Sequence, residues 1–186
     1  MTVFTRRTML AATTTLFGME LAAPLAKALA AEAAPGFPAA HAFFTAEQRS
    51  QVAAISERIL PTTDTPGAIA AGVPGFIEMM VSEWYEDAER DDFMTGLGQV
   101  EGYCWVQYEK SFVALSAEEQ EMVLTLAMQG RLPGLGSDFF GHCRQLVVLG
   151  YYTSEIGCKQ ERVYLPVPGH YDGKYPYADV RRVFSS

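Results

Sequence analysis

The sequence is poor in the residues and motifs that usually carry chemistry. It contains three histidines and three cysteines among 186 residues. It has no C-x-x-C-H motif for covalent haem and no close pair of cysteines for an iron–sulfur cluster. It also has no G-x-S-x-G nucleophile elbow and no glycine-rich loop with a phosphate-binding lysine. The sequence therefore predicts no catalytic, cofactor-binding or metal-binding residues in this chain.

Basic residues and long hydrophobic runs are also scarce. The chain has 14 Lys plus Arg against 22 Asp plus Glu, which gives a formal net charge of −8. This charge argues against nucleic-acid binding through phosphates and against adhesion to an anionic membrane. Glu20 and Pro24 interrupt the N-terminal apolar region, so it lacks the roughly 20 apolar residues of a membrane span. Membrane association is expected only through partners.

The N-terminus reads as an export signal. Arg6 and Arg7 form the core of a twin-arginine motif, which an apolar region and a small-x-small site at Ala28–Ala30 follow. We expect residues 1–30 to be a signal peptide and residues 31–42 a flexible Ala/Pro-rich leader. The alternative is an uncleaved anchor. The predicted location is the periplasm, and the signal raises the question of which cofactor requires export of a folded protein.

Helical signals occupy residues 43–150, and the predicted fold class is mainly α, a small irregular bundle of about five helices. Capping boxes open the first and fourth helices. The remaining helices are expected from Pro74, over about 92–110, and from an N-cap at Ser137 to Gly150.

Three local features of these helices are also expected. Trp84 should lie on the apolar face of the second helix. The acidic stretch from Glu83 should be a solvated helix end and turn. In the third helix, Gly96, Gly98 and Gly102 permit close backbone contact.

The last segment, residues 151–186, lacks a helical period and is predicted to be an extended arm with one short strand at Val163–Val167. Its tyrosines either cover the core or form a partner interface, since tyrosine buries much area at low entropic cost. The candidate interface residues are Tyr151, Tyr152, Tyr164, Tyr171, Tyr175 and Tyr177.

Two weaker patterns have ordinary structural explanations. The segment "GLGQVEG" has one residue too many for a dinucleotide loop and lies within a predicted helix. A metal site from His142, Cys143, Cys158 and His170 is disfavoured because adjacent helical residues point about 100° apart. Cys104, Cys143 and Cys158 are odd in number, so at least one stays a thiol or pairs with another chain.

Three segments carry a resemblance to a known family. They are "ILPTTDTPGAIAAGVPGFIEMMVSEWY", "LSAEEQ" and "GYYTSEIGCKQERVYLPVPGHYDG". Together they resemble the gluconate 2-dehydrogenase subunit 3 family over residues 43–172, with a slight departure from its pattern at Leu60–Thr63.

The resemblance implies a non-catalytic small subunit of a heteromeric periplasmic dehydrogenase that oxidises a sugar or sugar acid such as gluconate. FAD would be held by a large partner of the glucose–methanol–choline group, and haem c by a third, cytochrome c subunit. The small subunit would support maturation, twin-arginine export and stability of the flavin subunit. The alternatives are a stand-alone periplasmic enzyme and an export chaperone that does not remain bound.

The resemblance also gives the arm and its cysteine a role. The arm would pack on the flavin subunit, and Cys158, the most available of the three thiols, would form a disulfide there. The alternative is a disulfide between Cys158 and Cys143.

Overall fold

The computed structural model describes residues 43–136, 138–164 and 183–185, and the single positions 169, 174, 176, 178 and 181. These residues belong to one compact unit, Gly36–Ser186. The main helices are α1 (Ala46–Ile59), α2 (Val73–Met79), α3 (Asp87–Tyr108), α4 (Ala117–Met128) and α5 (Phe139–Thr153). The predicted mainly α class is confirmed, and each of the five predicted helices is present.

Short elements connect or follow these helices. A π-helical turn, Met80–Trp84, extends α2, and a 3-10 turn, Phe112–Ala114, follows α3. A second π-helical turn, Gly157–Glu161, precedes β1 (Val163–Tyr164), which pairs in parallel with β2 (Phe184–Ser185). The predicted strand is thus confirmed in its first two residues, while 165–167 lie outside the described residues.

The predicted capping boxes are present at α1 and α4. At α1, Thr45 N donates to Gln48 Oε1 at 2.9 Å, and Gln48 N donates to Thr45 Oγ1 at 3.2 Å. Ser116 and Glu119 exchange the same pair of bonds at 2.8 and 3.3 Å. These bonds satisfy backbone donors that the first helical turn leaves without partners, so the helices begin where the sequence indicates.

Helix α3 begins five residues earlier than predicted, at Asp87 rather than Asp92. The acidic stretch from Glu83 to Asp92 is mostly exposed, as expected, and it contains the end of the π-helical turn at Trp84, the N-cap Glu86 and the first residues of α3. Glu86 N donates to Glu89 Oε2 at 3.2 Å, which caps this end. Carboxylates are favourable at the positive end of the helix dipole, and this explains the earlier start.

The core lies among helices that pack closely on one another. Helix α2 packs on α1 and α5, and α4 packs on the same two helices. Burial of each large apolar side chain contributes about 1.5–3 kcal/mol. The largest fully buried side chains include Ile55, Ile77, Leu97, Val100, Phe112, Val123 and Val147.

Glycines allow close packing of two helix pairs, α5 on α2 and α3 on α5. A Cβ atom on Gly150 would lie 2.6 Å from Cδ1 of Phe76, and a Cβ atom on Gly96 would overlap the ring of Phe139. Close contact at Gly96 was predicted and is confirmed. At Gly98 and Gly102 no described part of this chain makes such a contact, because no heavy atom lies within 4 Å of a Cβ built at either position.

Trp84 was expected on the buried face of the second helix, but it is 70% exposed. The π-helical turn changes the rotation per residue and so moves Trp84 off that face. Arg90 holds the turn, since its Nε donates to Val81 O at 3.1 Å and its Nη2 donates to Tyr85 O at 3.0 Å. A side chain of the following helix, only five and nine positions from the carbonyls that it binds, thus stabilises the departure from the α-helical period.

The helical region extends past the predicted boundary at Gly150. Helix α5 ends at Thr153, so Tyr151 and Tyr152 are helical rather than part of an extended arm. Its N-cap is Asp138. The predicted N-cap, Ser137, lies outside the described residues.

The start of the described chain is fixed by one buried carboxylate. The side chain of Glu78 is 6% exposed, and its Oε1 accepts from Phe43 N and Phe44 N, both at 2.8 Å. Arg49 donates two further hydrogen bonds to this carboxylate, from Nε to Oε2 at 2.9 Å and from Nη2 to Oε1 at 3.0 Å. Burial raises the pKa of Glu78, but the bonds from Arg49, Phe44 and Phe43 outweigh it and lower the pKa below 4.5.

Among the described residues, no helix is both long and apolar enough to span a membrane.

Candidate functional site

The loop 61–72 between α1 and α2, which belongs to the first of the three family-like segments, is held by Glu57 from the last turns of α1. Glu57 Oε1 accepts from Thr62 N and from Thr62 Oγ1, both at 2.9 Å. Its Oε2 accepts from Ile69 N at 3.2 Å. One carboxylate therefore joins the two ends of this loop, which we call the clamped loop.

The electrostatics of Glu57 keep it ionised. Burial raises its pKa, but the backbone donors Thr62 and Ile69, the Thr62 hydroxyl and the charge of Arg58 together lower the pKa below 4.5. A carboxylate that accepts two or three hydrogen bonds is stabilised in its charged form. The loop is consequently clamped throughout the neutral pH range.

Gly67 is required inside the clamped loop. A Cβ atom there would lie 2.5 Å from Thr62 N and 2.6 Å from Glu57 Oε1. Gly67 N also donates to Thr62 Oγ1 at 3.0 Å. Any side chain at this position would separate the carboxylate from the backbone that it binds, which is the physical reason for glycine in "TPGA".

The other side of the clamped loop contacts α5 and the second π-helical turn. Tyr151 OH donates to Pro66 O at 2.9 Å, and Thr65 Oγ1 donates to Glu161 Oε2 at 2.8 Å. Burial is the main cause that raises the pKa of Tyr151, so its hydroxyl stays protonated and acts as a donor. Segments far apart in the chain are thereby joined at one place.

A cleft of about 370 Å³ opens beside these contacts. The guanidinium of Arg162 lies 4.5 Å from the centre of the Tyr152 ring, a cation–π contact that forms part of the wall. Two carboxylates and two guanidiniums give the lining balanced charge, which suits a polar contact with another molecule. The lining residues are Asp64, Thr65, Tyr152, Glu161, Arg162, Arg181 and Val183.

The tyrosines predicted as an interface are not equivalent. Tyr151 is 4% exposed and lies in the core, Tyr152 is half-buried, and Tyr164 is 45% exposed. Tyr151 and Tyr152 contact each other edge to face at 5.3 Å. Tyr171, Tyr175 and Tyr177 lie outside the described residues, as do Arg6 and Arg7 of the export signal. The interface stays a prediction, to which Tyr151 offers little exposed surface.

The cysteines differ in access. Cys104 and Cys143 are buried, and burial raises the pKa of each thiol to about 12. Cys158 is half-buried, and its Sγ lies 3.3 Å from the carbonyl oxygen of Tyr152. The predicted disulfide of Cys158, with a partner or with Cys143, stays a prediction.

The residues weighed as metal ligands have different surroundings. His142 is an exposed side chain whose Nε2 lies 3.0 Å from Asp138 Oδ2, while the adjacent Cys143 is 1% exposed in the core. His170 lies outside the described residues. Within the described ranges, no three His, Cys, Asp or Glu side chains are placed to hold a metal together.

Sequence reasoning did not identify the clamp residues Glu57, Thr62 and Glu161. A signal for the first two was present, because Glu57 precedes a Pro-Thr-Thr-Asp turn by four positions and such turns need an acceptor for their backbone donors. No local signal existed for Glu161, which is 96 positions from Thr65.

These features define a small helical domain in which polar side chains hold one loop in place. The chain belongs to the gluconate 2-dehydrogenase subunit 3 family, whose model matches residues 46–169. The match contains α1 to α5, the clamped loop and both π-helical turns, and it confirms the resemblance seen in the sequence. The family description identifies an accessory subunit of a multi-subunit dehydrogenase. Neither a curated protein nor a solved structure matches the chain significantly.

Proposed function

We propose that this protein is the non-catalytic small subunit of a periplasmic dehydrogenase that oxidises a sugar or sugar acid such as gluconate. The family match over residues 46–169 carries this proposal, because it spans the whole helical domain and the clamped loop. FAD would reside in a large partner of the glucose–methanol–choline group, and haem c in a third, cytochrome c subunit. The flavin subunit would select the substrate.

The second part of the proposal concerns export. Arg6 and Arg7 supply a twin-arginine signal, and this pathway carries folded proteins. A partner that has already bound FAD and lacks a signal of its own would cross the membrane with this chain. The complex would then lie at the periplasmic face of the cytoplasmic membrane, attached through its other subunits.

The export experiment uses the native complex. Arg6→Lys with Arg7→Lys should leave the flavin subunit in the cytoplasm, as measured by fractionation and by assay of flavin and dye-linked sugar oxidation. The control replaces Arg131 and Arg144 by lysine, which keeps the same change of residue type within the helical domain. Normal periplasmic levels of the flavin subunit in the signal variant would contradict shared export.

A stand-alone enzyme and a departing chaperone are the competing functions, and two measurements separate them. The purified chain should show no flavin or haem absorbance and should oxidise no sugar. It should also co-purify with the flavin subunit in a fixed ratio after export. A stoichiometric chromophore on the isolated chain would favour an enzyme, and loss of the chain after export would favour a chaperone.

A further inference from the structure

The outward face of α3 carries two exposed apolar side chains near its C-terminal end. Its buried face carries Phe93, Leu97, Val100 and Cys104, so the next two residues are turned toward solvent. These residues are Trp105, 56% exposed, and Val106, 86% exposed. Exposed tryptophan is enriched among the residues that dominate binding energy at interfaces.

A groove of about 600 Å³ lies between the Trp105 side of α3 and the first turns of α1, and Val106 lies outside its lining. Trp105 and Val113 of the 3-10 turn form one side, and the first turns of α1 form the other. Val113 is itself 46% exposed. The groove therefore presents apolar side chains to solvent next to a helix, a form that accommodates an apolar segment of another chain.

Hydrogen bonds on both sides hold the groove in its open form. Gln51 Nε2, from a residue 5% exposed, donates to Leu97 O at 3.0 Å and ties α1 to α3. Glu101 accepts from Trp105 Nε1 and from Phe112 N, both at 3.1 Å, and so ties α3 to the turn that carries Val113. A preformed groove loses less conformational entropy on binding.

The floor of the groove is open at glycine. Gly98 lines it, and no heavy atom lies within 4 Å of a Cβ atom built there. Gly102, one turn further along α3, is equally open. A partner can approach the backbone of α3 closely at these positions, since no side chain intervenes. In contrast, Gly96 on the same helix packs against Phe139 of α5.

The negative charge of the groove favours a partner segment that carries positive charge. The charged side chains that line the groove are Glu47 and Glu101. A second copy of this chain, with formal net charge −8, would bring like charges together. A segment that combines apolar side chains with lysine or arginine would be complementary to the groove in both respects.

We propose that this groove binds an apolar, lysine- or arginine-bearing segment of the flavin subunit. The inference rests on the proposed function for the existence of that partner, and it adds a docking surface on α1 and α3 to the contact predicted for the C-terminal segment.

The test measures the affinity of the purified full-length chain for the flavoprotein that co-purifies with it. Trp105→Ala should weaken binding by about 30-fold, the effect of losing one dominant interface residue. Gly98→Leu should weaken it similarly by filling the floor, and it should preserve folding because leucine favours the helix more than glycine. Trp84→Ala, which removes a more exposed tryptophan outside the groove, should leave the affinity within about 2-fold.

A charge variant tests the complementarity. Glu47→Lys should weaken binding at low ionic strength, and the effect should diminish as salt is raised. Glu118→Lys is the matched control, because Glu118 is an exposed residue at the equivalent second position of α4. Equal effects of both lysine variants would contradict a specific role for the groove carboxylate.

The remaining outcomes are distinguishable. If both Trp105→Ala and Gly98→Leu bind the flavoprotein as tightly as the wild-type chain, the groove is not the docking site. If the wild-type chain sediments as a dimer that Trp105→Ala dissociates, the occupant is a second copy and this inference is wrong. If no flavoprotein co-purifies with the wild-type chain, the proposed function itself fails.

Discussion

Replacing Glu78 by glutamine tests how the first described residues are attached to the helical domain. The carboxylate accepts four hydrogen bonds, two from backbone N–H groups and two from Arg49. Glutamine has nearly the same shape but carries no charge. One of its two terminal atoms becomes an N–H donor that faces the Arg49 donor, so that bond is lost and the others weaken.

The magnitude follows from the burial of the two partners. Removing one member of a buried ion pair costs about 3–5 kcal/mol, and a hydrogen bond to a charged group contributes about 1.5–3 kcal/mol. Arg49 is 43% exposed and can turn to water, so we expect Glu78→Gln to cost about 2–3 kcal/mol. For a domain of this size the melting temperature should fall by roughly 4–12 °C.

The loss of unfolding free energy caused by Glu78→Gln should be smaller at low pH than at neutral pH. The pKa of Glu78 is lowered in the folded state, so the ionised carboxylate stabilises the fold above its unfolded pKa of about 4.5. That contribution is lost as the pH falls through the lower folded pKa. Glutamine does not titrate. The difference in unfolding free energy between the two proteins should therefore reach its full value near about pH 7 and decrease below about pH 4.5.

The assay is urea unfolding followed by circular dichroism across this pH range, with Glu83→Gln as an exposed control. Amide hydrogen exchange at Phe43 and Phe44 should accelerate in Glu78→Gln but not in the control. Equal stability of Glu78→Gln and the wild-type chain at neutral pH would refute the reasoning, as would a stability difference that stays constant down to about pH 3.

Other substitutions test the helix packing, the clamped loop and the cysteine. Gly96→Ala should cost about 1–3 kcal/mol in thermal unfolding because its methyl overlaps a ring, whereas Gly98→Ala on the same helix should stabilise by up to ~1 kcal/mol; equal melting temperatures would contradict this packing. Glu57→Gln should accelerate hydrogen exchange in the clamped loop, and unchanged exchange would mean that other contacts hold it. On non-reducing electrophoresis, the complex should show a band at the summed mass that Cys158→Ser removes; a Cys158–Cys143 bond found by peptide mapping would make this cysteine an internal link instead.

The α3 side of the candidate groove could have been predicted from the sequence. The buried period of α3 predicts that positions 105 and 106 face outward, and these positions hold tryptophan and valine. Of these two, Trp105 lines the groove, and tryptophan is enriched among the residues that dominate binding energy at interfaces. What no pattern could supply is the far side of the groove, since Gln51 contacts Leu97 across 46 positions.

The sequence by itself determined the elements whose signals are local. Thr45 with Gln48 and Ser116 with Glu119 lie three positions apart, so their capping bonds form wherever the helix forms. The periodic apolar residues of α3 and the family-specific loop were likewise readable, which predicted the mainly α class and the family together. These features depend on neighbours along the chain and need no knowledge of the fold.

Only the tertiary structure decided which side chains became core and which stayed accessible. Tyr151 lies in the core, and its hydroxyl binds Pro66, 85 positions earlier. The clamped loop also binds Glu161, from the far end of the domain, through Thr65. Burial depends on atoms brought together by folding, and residues so distant in sequence leave no periodic trace of their contact.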